Sequence, residues 1–215
     1  MVRRYGIRCG PGGAVATAKA MGRLQLPVAT ERLLIRAFQE SDRSFEVMVS
    51  EHPSLFVNLP IEPRSSSEID QYVQSRLGFK SFDEVGQTCA LIVESDAGDY
   101  VGSIQLTSSV VEPLQLQIGW ITLPQHHGRG FMSEAVARVV ALVSESLVAH
   151  RIVAEVVGGN DASVRLAEGT GFRREAQLVR SAFIKREWRD EYVYALLPSE
   201  HDRATTAGGS TNPAR

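Results

Sequence analysis

Apolar and polar positions in the first quarter of the chain follow strand-like and then helical spacing. Order is predicted to begin near Leu26, and the segment "RLLIRAF" (32–38) has the pattern of a strand. The next segment, "SDRSFEVMVS" (41–50), repeats its apolar residues at helical spacing and offers Ser41 or Asp42 as an N-cap. These patterns predict a strand followed by a short helix.

The following segment predicts a second helix and then a hairpin. Ser65-x-x-Glu68 has the form of a capping box, and apolar residues recur at helical spacing through 65–79. Two apolar runs then follow, "TCALIVES" (88–95) and "YVGSIQLTSS" (100–109), with a glycine-containing turn between them. Runs of this kind on either side of a short turn are typical of a β-hairpin.

The second half of the chain alternates strands with helices. In "LQLQIGWITL" (114–123) the apolar and glutamine positions alternate, which predicts a strand with one buried face. A broad apolar stripe predicts a helix over 131–150, and "RIVAEVV" (151–157) is typical of a buried strand.

The last part of the chain predicts a short helix and a closing pair of strands. Asn160 is placed to cap a helix over 160–172, and Gly171 is placed to end it in the left-handed conformation. The segments 172–183 and 187–197 predict the two strands. This order indicates an α/β (α+β) domain with a mixed sheet, without a repeat or an internal linker.

Composition narrows the class of protein without identifying it. The 215 residues are 43% hydrophobic and 22% charged, which is ordinary for one globular domain. A net charge of -2 argues against nucleic acid or an anionic membrane as the main partner, and no apolar run is long enough to span a bilayer. Cys9 and Cys89 lie in unlike contexts, which favours a reducing cytoplasm over a disulfide framework.

Both ends of the chain differ in composition from the middle. The first 25 residues lack the continuous apolar run of a signal peptide, so they predict a disordered extension, and Met21 is a possible alternative start. Residues 199–215 are small, polar and without periodicity, which predicts a flexible tail. The folded domain is therefore expected over 26–198.

The loop "PQHHGRGF" (124–131) is the strongest candidate site. A glycine-containing turn that leads into a helix exposes unpaired amides at the positive end of the helix dipole, and such amides bind anions. Gly128 and Gly130 allow the main chain to approach a phosphate without a Cβ in the way. The spacing matches neither the P-loop nor the dinucleotide-binding fingerprint, which disfavours a nucleoside triphosphatase or a Rossmann dehydrogenase.

Several motifs in order give the chain a resemblance to a known family. The pattern Gln125-x-x-Gly128-x-Gly130 lies between a strand and a helix, and Asn160-x-x-Ser163 follows the next strand. In this arrangement residues 26–198 resemble the GNAT superfamily of acyl-CoA-dependent N-acetyltransferases. The branch that the sequence resembles most is the RimJ/RimL type, whose members acetylate protein N-termini and whose relatives act on small amines. The segments "TERLLIRAF" and "RDEYVYALL" resemble the first and last strands of that branch.

The resemblance implies a GNAT fold, with a mixed central sheet that is splayed at the acyl-CoA site and flanked by helices. Acetyl-CoA would be the co-substrate: its pyrophosphate would bind the loop amides, and its pantetheine arm would lie between strands 114–123 and 151–157. The implied cofactor-binding residues are Gln125, His126, His127, Gly128, Arg129, Gly130, Phe131, Ile118, Trp120, Ile121, Asn160 and Ser163. Asn160 also has a plain reading as a helix cap, and Ser163 as an ordinary first-turn residue.

The same resemblance leaves the proton transfers open. Many relatives place a carboxylate on the strand before the loop, where this chain has Gln117, which cannot act as a base. Many also place a tyrosine where this chain has Ala167. We therefore assign Tyr194 as the candidate acid, with Ser163 on the thiol side. The alternative for Tyr194 is a structural role in the sheet with its hydroxyl hydrogen-bonded. Glu134 matches a Glu that is common just inside the helix in this branch, and its favoured interpretation is complementarity to the helix dipole.

The two adjacent histidines do not indicate a metal. On a loop, His126 and His127 point apart, and no cluster of Cys, Asp or Glu ligands accompanies them. We predict that both are exposed loop residues near the phosphates and that no metal is bound. Arg129 at the start of the helix is predicted either to meet a phosphate or to be solvated.

The predicted acceptor is a primary amine. Neither nucleic acid nor a membrane is predicted as a partner, and the predicted oligomeric state is a monomer or a homodimer. A site without a strong base suits an α-amine, whose pKa is about 7.7–8.0, better than a lysine with a pKa of about 10.4. Glu46, Glu51 and Glu62 lie in the region that shapes the acceptor site, although scattered surface acids explain them equally. The alternatives are a small-amine or antibiotic acetyltransferase of the same fold and a non-catalytic acyl-CoA sensor.

Overall fold

The computed structural model describes residues 24–147 and 149–198. Eight strands form one sheet in the order β1-β2-β3-β4-β5-β6-β8-β7. The strands are β1 (Val28–Ala29), β2 (Leu33–Ala37), β3 (Thr88–Ser95), β4 (Tyr100–Val111), β5 (Leu114–Thr122), β6 (Arg151–Val157), β7 (Arg173–Ile184) and β8 (Glu187–Leu196). The helices are α1 (Arg43–Ser50), α2 (Ser66–Arg76), α3 (Phe131–Ser146) and α4 (Asp161–Gly169), with short 3₁₀ turns at Glu40–Asp42, Pro53–Phe56 and Pro124–His126. The predicted α/β class with a mixed sheet is confirmed.

One pair of strands determines where a site forms. All neighbouring strands are antiparallel except β5 and β6, which are parallel and are joined through α3. These two strands pair at three positions, from Gln115 opposite Arg151 to Gln117 opposite Val153, and then diverge. Beyond that point, β5 is held by β4 on its outer side and β6 by β8. The sheet is therefore open between the far ends of β5 and β6.

Helices cover both faces of the sheet. The alternation of β3 shows the division, because Leu91 and Val93 pack in the core that contains α3, whereas Ala90 and Ile92 pack in the core of α1 and α2. The face of β5 that carries the predicted apolar positions is buried, and its glutamines face outward. The result is a three-layer domain in which both faces of β3 are buried and the outward face of β5 is partly exposed.

Cap residues account for several of the helix boundaries. The capping box of Ser65 and Glu68 is present, and Gly171 adopts a φ of 89° just after α4, as predicted. Asp42 precedes α1 but does not cap it with its side chain, because its carboxylate binds the guanidinium of Arg36 instead. Asp42 is therefore the N-cap residue of α1, as one of the two predicted alternatives, although its side chain makes no capping hydrogen bond, and Ser41 is not the cap.

Two helices end earlier than the apolar pattern predicts. Helix α2 stops at Arg76 because Leu77 is extended, with ψ of 152°, and Gly78 has a positive φ. Helix α3 stops at Ser146 because Leu147 is extended as well, with ψ of 137°. Leu147 remains buried in the core, so its apolar character reflects packing beyond the helix end.

The predicted extension over 1–25 and the predicted tail over 199–215 lie outside the described residues, apart from Leu24 and Gln25. Leu24 and Leu26 pack against the main core, so residues just before β1 already belong to the folded domain. Within the described ranges, every helix is too short or too polar to cross a membrane.

Candidate active site

The opening between β5 and β6 forms a cleft of about 480 Å³. Its walls come from the far halves of both strands, the start of α4, helix α2 and the segment 58–64. Where the two strands diverge, the backbone N–H and C=O groups on their facing edges have no partner in the other strand. An extended ligand that offers amide groups is suited to such an edge. Five of the predicted cofactor residues line the cleft: Ile118, Trp120, Ile121, Asn160 and Ser163.

Asn160 and Ser163 have structural partners as well as a place on the cleft wall. The Asn160 side-chain oxygen accepts a hydrogen bond from the Ser163 amide at 3.2 Å, which caps α4. The Trp120 indole donates to the Ser163 hydroxyl at 3.3 Å across the opening between the strands. The plain cap reading of Asn160 is thus correct, and it is compatible with a role on the cleft wall.

The glycine loop lies beside this cleft, at the end to which β5 runs. Gly128 and Gly130 have φ values of 70° and 75°, and Gly130 is the N-cap of α3 without a side-chain cap. A Cβ at Gly128 would meet nothing within 4 Å, so backbone conformation rather than crowding requires glycine here. The first amides of a 16-residue helix therefore point outward without a protein side chain to cap them.

The two histidines of this loop have different environments. His127 is exposed, and its Nε2 lies 2.8 Å from the carbonyl oxygen of Thr122. His126 is buried, and its ring centroid is 5.8 Å from that of Phe131. The prediction that both are exposed is therefore wrong for His126, which supports the loop from beneath. Among the described residues, no group of three or more His, Cys, Asp or Glu side chains is arranged to hold a metal.

Arg32 contacts the glycine loop, a role that the sequence alone did not predict. It donates to the carbonyl oxygen of Arg129 at 3.1 Å and to the Glu134 carboxylate at 2.7 Å. The guanidinium groups of Arg32 and Arg129 also lie over the Phe131 ring, at 4.7 and 4.5 Å from its centroid. No spacing rule relates Arg32 to the loop, because the two are far apart in sequence and meet only when β2 packs beside α3.

Glu134 does more than complement the helix dipole. It accepts hydrogen bonds from the hydroxyl of Thr30 at 2.5 Å and from the amide of Arg32 at 3.2 Å. Partial burial opposes its ionisation, but the hydrogen bonds from Thr30 and Arg32 outweigh this and lower the pKa of Glu134. The ionised carboxylate thus connects the start of α3 to the first two strands.

Tyr194 lies in the core and does not border the cleft. Its ring is fully buried, and its hydroxyl donates to the Glu168 carboxylate at 2.9 Å. Burial first, and then the hydrogen bond to Glu168, raise the pKa of Tyr194. This arrangement matches the alternative interpretation of Tyr194 as a structural residue of the sheet whose hydroxyl is hydrogen-bonded within the fold.

A carboxylate that the sequence reading overlooked faces the cleft beside Gln117. The Gln117 amide donates to Glu155 at 2.9 Å across the point where β5 and β6 separate. Glu155 is open to the cleft, yet shielding by the cleft walls and the nearby carboxylate of Glu191 raise its pKa, while the bond from Gln117 lowers it. The signal was present in the sequence, because Glu155 is the one acid in the otherwise apolar run "AEVV".

The opposite wall of the cleft is basic. Arg64 and Arg76 stack on the ring of Tyr72, with guanidinium carbons 3.9 and 4.7 Å from its centroid. Arg64 also forms an ion pair with the buried Glu46 at 3.2 Å. Of the three acids predicted near the acceptor, only Glu46 lines the cleft, while Glu62 pairs with Lys185 on the surface.

Known proteins are similar to this chain in sequence and in fold. The sequence model of the acetyltransferase (GNAT) domain matches residues 32–173. The uncharacterized N-acetyltransferase YnaD of Bacillus subtilis (strain 168) is 25% identical over 173 residues, which is 80% of this chain and 98% of the relative.

Two solved structures show the same fold. Spermidine N-acetyltransferase from Vibrio cholerae, in complex with CoA and spermine, has a TM-score of 0.71 at 22% identity and covers 80% of this chain and 99% of its own. RimL, a ribosomal L7/L12 α-N-protein acetyltransferase in complex with coenzyme A, has a TM-score of 0.71 at 17% identity. The match covers 80% of this chain and 98% of the RimL chain.

At these identities the two likenesses establish the fold and do not choose an acceptor. The residues present also fit the co-substrate, because unpaired strand edges face the cleft and uncapped helix amides lie at its end. The predicted GNAT fold and the predicted acetyl-CoA are confirmed. The chain belongs to the GNAT family and is an acetyl-CoA-dependent N-acetyltransferase.

Proposed function

We propose that this enzyme acetylates a primary amine and that Glu155 takes up the proton of that amine. The observation that carries the proposal is the contact between Gln117 and Glu155 at the fork of β5 and β6. A protonated amine has no lone pair for attack on a thioester, so a nearby base must accept its proton. Glu155 supplies a carboxylate in the place where Gln117 cannot.

The surroundings of Glu155 support this role. Its raised pKa brings its basicity closer to that of an amine, which favours proton transfer near neutral pH. The amide of Gln117 donates one hydrogen bond to one carboxylate oxygen, which fixes the group and leaves its other oxygen available. The negative charges of Glu155 and Glu191 also attract the ammonium form of the acceptor to this wall of the cleft.

We infer that the acceptor is the α-amine of a peptide or protein, as in the RimJ/RimL branch. An α-amine has a pKa of about 7.7–8.0, so a far larger fraction of it than of lysine, with a pKa of about 10.4, is already neutral near pH 7, and a carboxylate of modest basicity is sufficient. The basic wall of Arg64 and Arg76 disfavours a polycation in the same cleft. A small amine is the second candidate, favoured by the paired acids Glu155 and Glu191.

We also infer that the enzyme works in the cytoplasm, as a monomer or a homodimer. Cys89 is a free thiol buried in the core, and burial raises its pKa to about 12. A thiol of that kind is unreactive and is compatible with a reducing compartment.

A panel of amines tests the proposal through release of free CoA thiol. We expect turnover with a peptide α-amine, and a fall in kcat of about 10²–10⁴-fold on Glu155→Gln with unchanged acetyl-CoA affinity. Glu145→Gln, an exposed acid on α3, is the matched control and should keep the full rate. Full activity of the Glu155→Gln enzyme would remove the assigned base, and CoA binding without turnover on any amine would favour the sensor.

A further inference from the structure

The part of the cleft beyond Glu155 has walls of opposite charge. Glu155 and Glu191 lie on the wall made by β6 and β8, and Arg64 and Arg76 lie on the wall made by α2 and the segment that precedes it. The space between them belongs to the same cleft of about 480 Å³. A molecule bound there is therefore in contact with a negative surface on one side and a positive surface on the other.

The basic wall is built around the ring of Tyr72. The two guanidinium groups stack on Tyr72, whose hydroxyl accepts a hydrogen bond from the Gln105 amide. The Nε atom of Arg76 is buried without a hydrogen-bond partner in the described part of the chain. That atom is enclosed, so an oxygen of a ligand in the cleft meets this guanidinium at its terminal nitrogens, which carry four of its five N–H donors.

The charges on this wall do not balance. Glu46 is the acid beside the two arginines, and burial raises its pKa to about 7 against the opposing effect of Arg64. Near neutral pH the side chain is therefore only partly ionised. Two full positive charges face less than one negative charge, so the wall retains a net charge of about +1 or more.

The acidic wall has the opposite imbalance. The polar partner of Glu155 is the neutral amide of Gln117, and that of Glu191 is the hydroxyl of Ser181 at 3.3 Å. Among the described residues, neither carboxylate forms an ion pair with a cationic side chain. This wall is therefore suited to an ammonium group, and the other wall is suited to an anion.

We propose that the acceptor is dipolar, with a carboxylate that binds Arg64 and Arg76 in addition to the primary amine that reaches Glu155. The inference rests on the proposed function and specifies its substrate. A carboxylate fits because a guanidinium presents two parallel donors to its two oxygens, and a single negative charge matches the excess charge of the wall. A free amino acid and a peptide whose N-terminus is followed by an acidic residue both offer this chemistry.

Matched acceptor pairs distinguish these sources and test the proposal. Alanine is compared with alaninamide, and an Ala-Glu peptide is compared with the same peptide carrying Ala-Gln. We expect kcat/KM for the acidic member of one pair to exceed that of its amide by about tenfold, as one charge-assisted hydrogen bond provides. Preference within the first pair indicates a free amino acid, and preference within the second pair indicates an acidic peptide.

The variant Arg76→Gln connects the preference to the basic wall. We expect the acid-to-amide ratio to fall to near one in this variant, because kcat/KM for the acidic member decreases more than kcat/KM for its amide. Arg138→Gln, which removes an arginine from the surface of α3, should keep the ratio of the unaltered enzyme.

Equal rates for acid and amide in the unaltered enzyme would overturn the dipolar acceptor, even if the variant failed to fold. That result would leave the amine acetyltransferase intact, because the amides would still be acetylated. A ratio that persists in folded Arg76→Gln would also reject the assignment. Failure of the proposed function looks different, since acetyl-CoA would then bind without turnover on either member of any pair.

Discussion

At the scale of single residues, the carboxylate that we propose as the base lies on β6 and not on β5. Gln117 is in the position where many relatives carry an acid, and Glu155 lies across the fork within hydrogen-bond distance of it. An amide is a suitable neighbour for a base because it donates a hydrogen bond without exchanging a proton at neutral pH. A search for the acid at its usual strand position misses the pair, whereas the pairing of β5 with β6 reveals it.

Tyr194 provides a residue-level test between catalysis and structure. Because its hydroxyl binds Glu168 within the fold, we expect Tyr194→Phe to keep kcat and to lose about 0.5–1.5 kcal/mol of unfolding free energy. Steady-state rates and urea unfolding measure the two quantities. A fall in kcat of about 10²-fold or more, with CoA affinity unchanged, would restore the acid role.

Glu46 should make stability depend on pH. Folding raises the pKa of Glu46 from 4.5 to about 7, so the folded protein holds a proton that the unfolded chain has lost between these values. The unfolding free energy contributed by this group therefore falls as pH rises through that window. We expect Glu46→Gln to flatten the decline between about pH 5 and pH 8 in urea unfolding. Glu145→Gln is the control, and an unchanged slope in Glu46→Gln would contradict the assignment.

At the scale of elements, the glycine loop depends on its backbone conformation. A valine at Gly128 or Gly130 must adopt a positive φ, which costs about 1–2 kcal/mol, or must displace the amides that we expect to bind the pyrophosphate. We expect either change to weaken acetyl-CoA binding at least about tenfold in calorimetry.

The matched control for the loop is His127→Ala, since His127 is exposed and contributes one contact to a main-chain oxygen. His126 is unsuitable as a neutral control because its burial under Phe131 makes its removal a packing change. Weaker binding in His127→Ala than in Gly128→Val would show that side chains rather than amides hold the co-substrate.

The helix boundaries that depend on a few neighbouring residues were the ones that the sequence predicted. The capping box at Ser65, the cap at Asn160 and the left-handed Gly171 each depend on a few neighbouring residues, and each was predicted correctly. The ends of α2 and α3 were not, because apolar residues such as Leu147 continue into the core after the helix stops. Periodicity reports burial, and burial extends beyond a helix.

At the scale of the whole molecule, the first strands hold the glycine loop in place. Glu134 on α3 accepts hydrogen bonds from Thr30 and Arg32, and Arg32 also binds a loop carbonyl. We expect Glu134→Gln to lower the unfolding free energy by about 1 kcal/mol, because the pair is partly exposed, and to weaken acetyl-CoA binding.

The stability contributed by Glu134 should also depend on pH, in the opposite sense to that of Glu46. Its pKa is lowered on folding, so its contribution is present above the ordinary pKa of a glutamate and is lost in acid. Urea unfolding of Glu134→Gln and of the unaltered chain should therefore converge as the pH falls. A constant difference would mean that the link does not depend on charge.

The parts of the site that sequence reasoning missed are contacts between distant segments. Arg32 and Glu155 carry no motif, and each gains its meaning from a neighbour on another strand or helix. The loop and the wall residues of β5 and α4 were predictable because the resemblance maps them by order along the chain. The acceptor walls were not, since they assemble from α2, β6 and β8 only in the folded state.

The three-residue pairing of β5 with β6 leaves two unsatisfied strand edges in the interior of a single sheet. Strand edges recruit other extended chains, and a protein usually protects them at its periphery rather than opening them at its centre. A co-substrate that binds in this gap, as we expect of acetyl-CoA, also closes it, and its binding energy then adds to the stability of the native state. We expect the persistence of this enzyme in a cell to follow the supply of acetyl-CoA, which couples its abundance to the metabolic state that determines its activity.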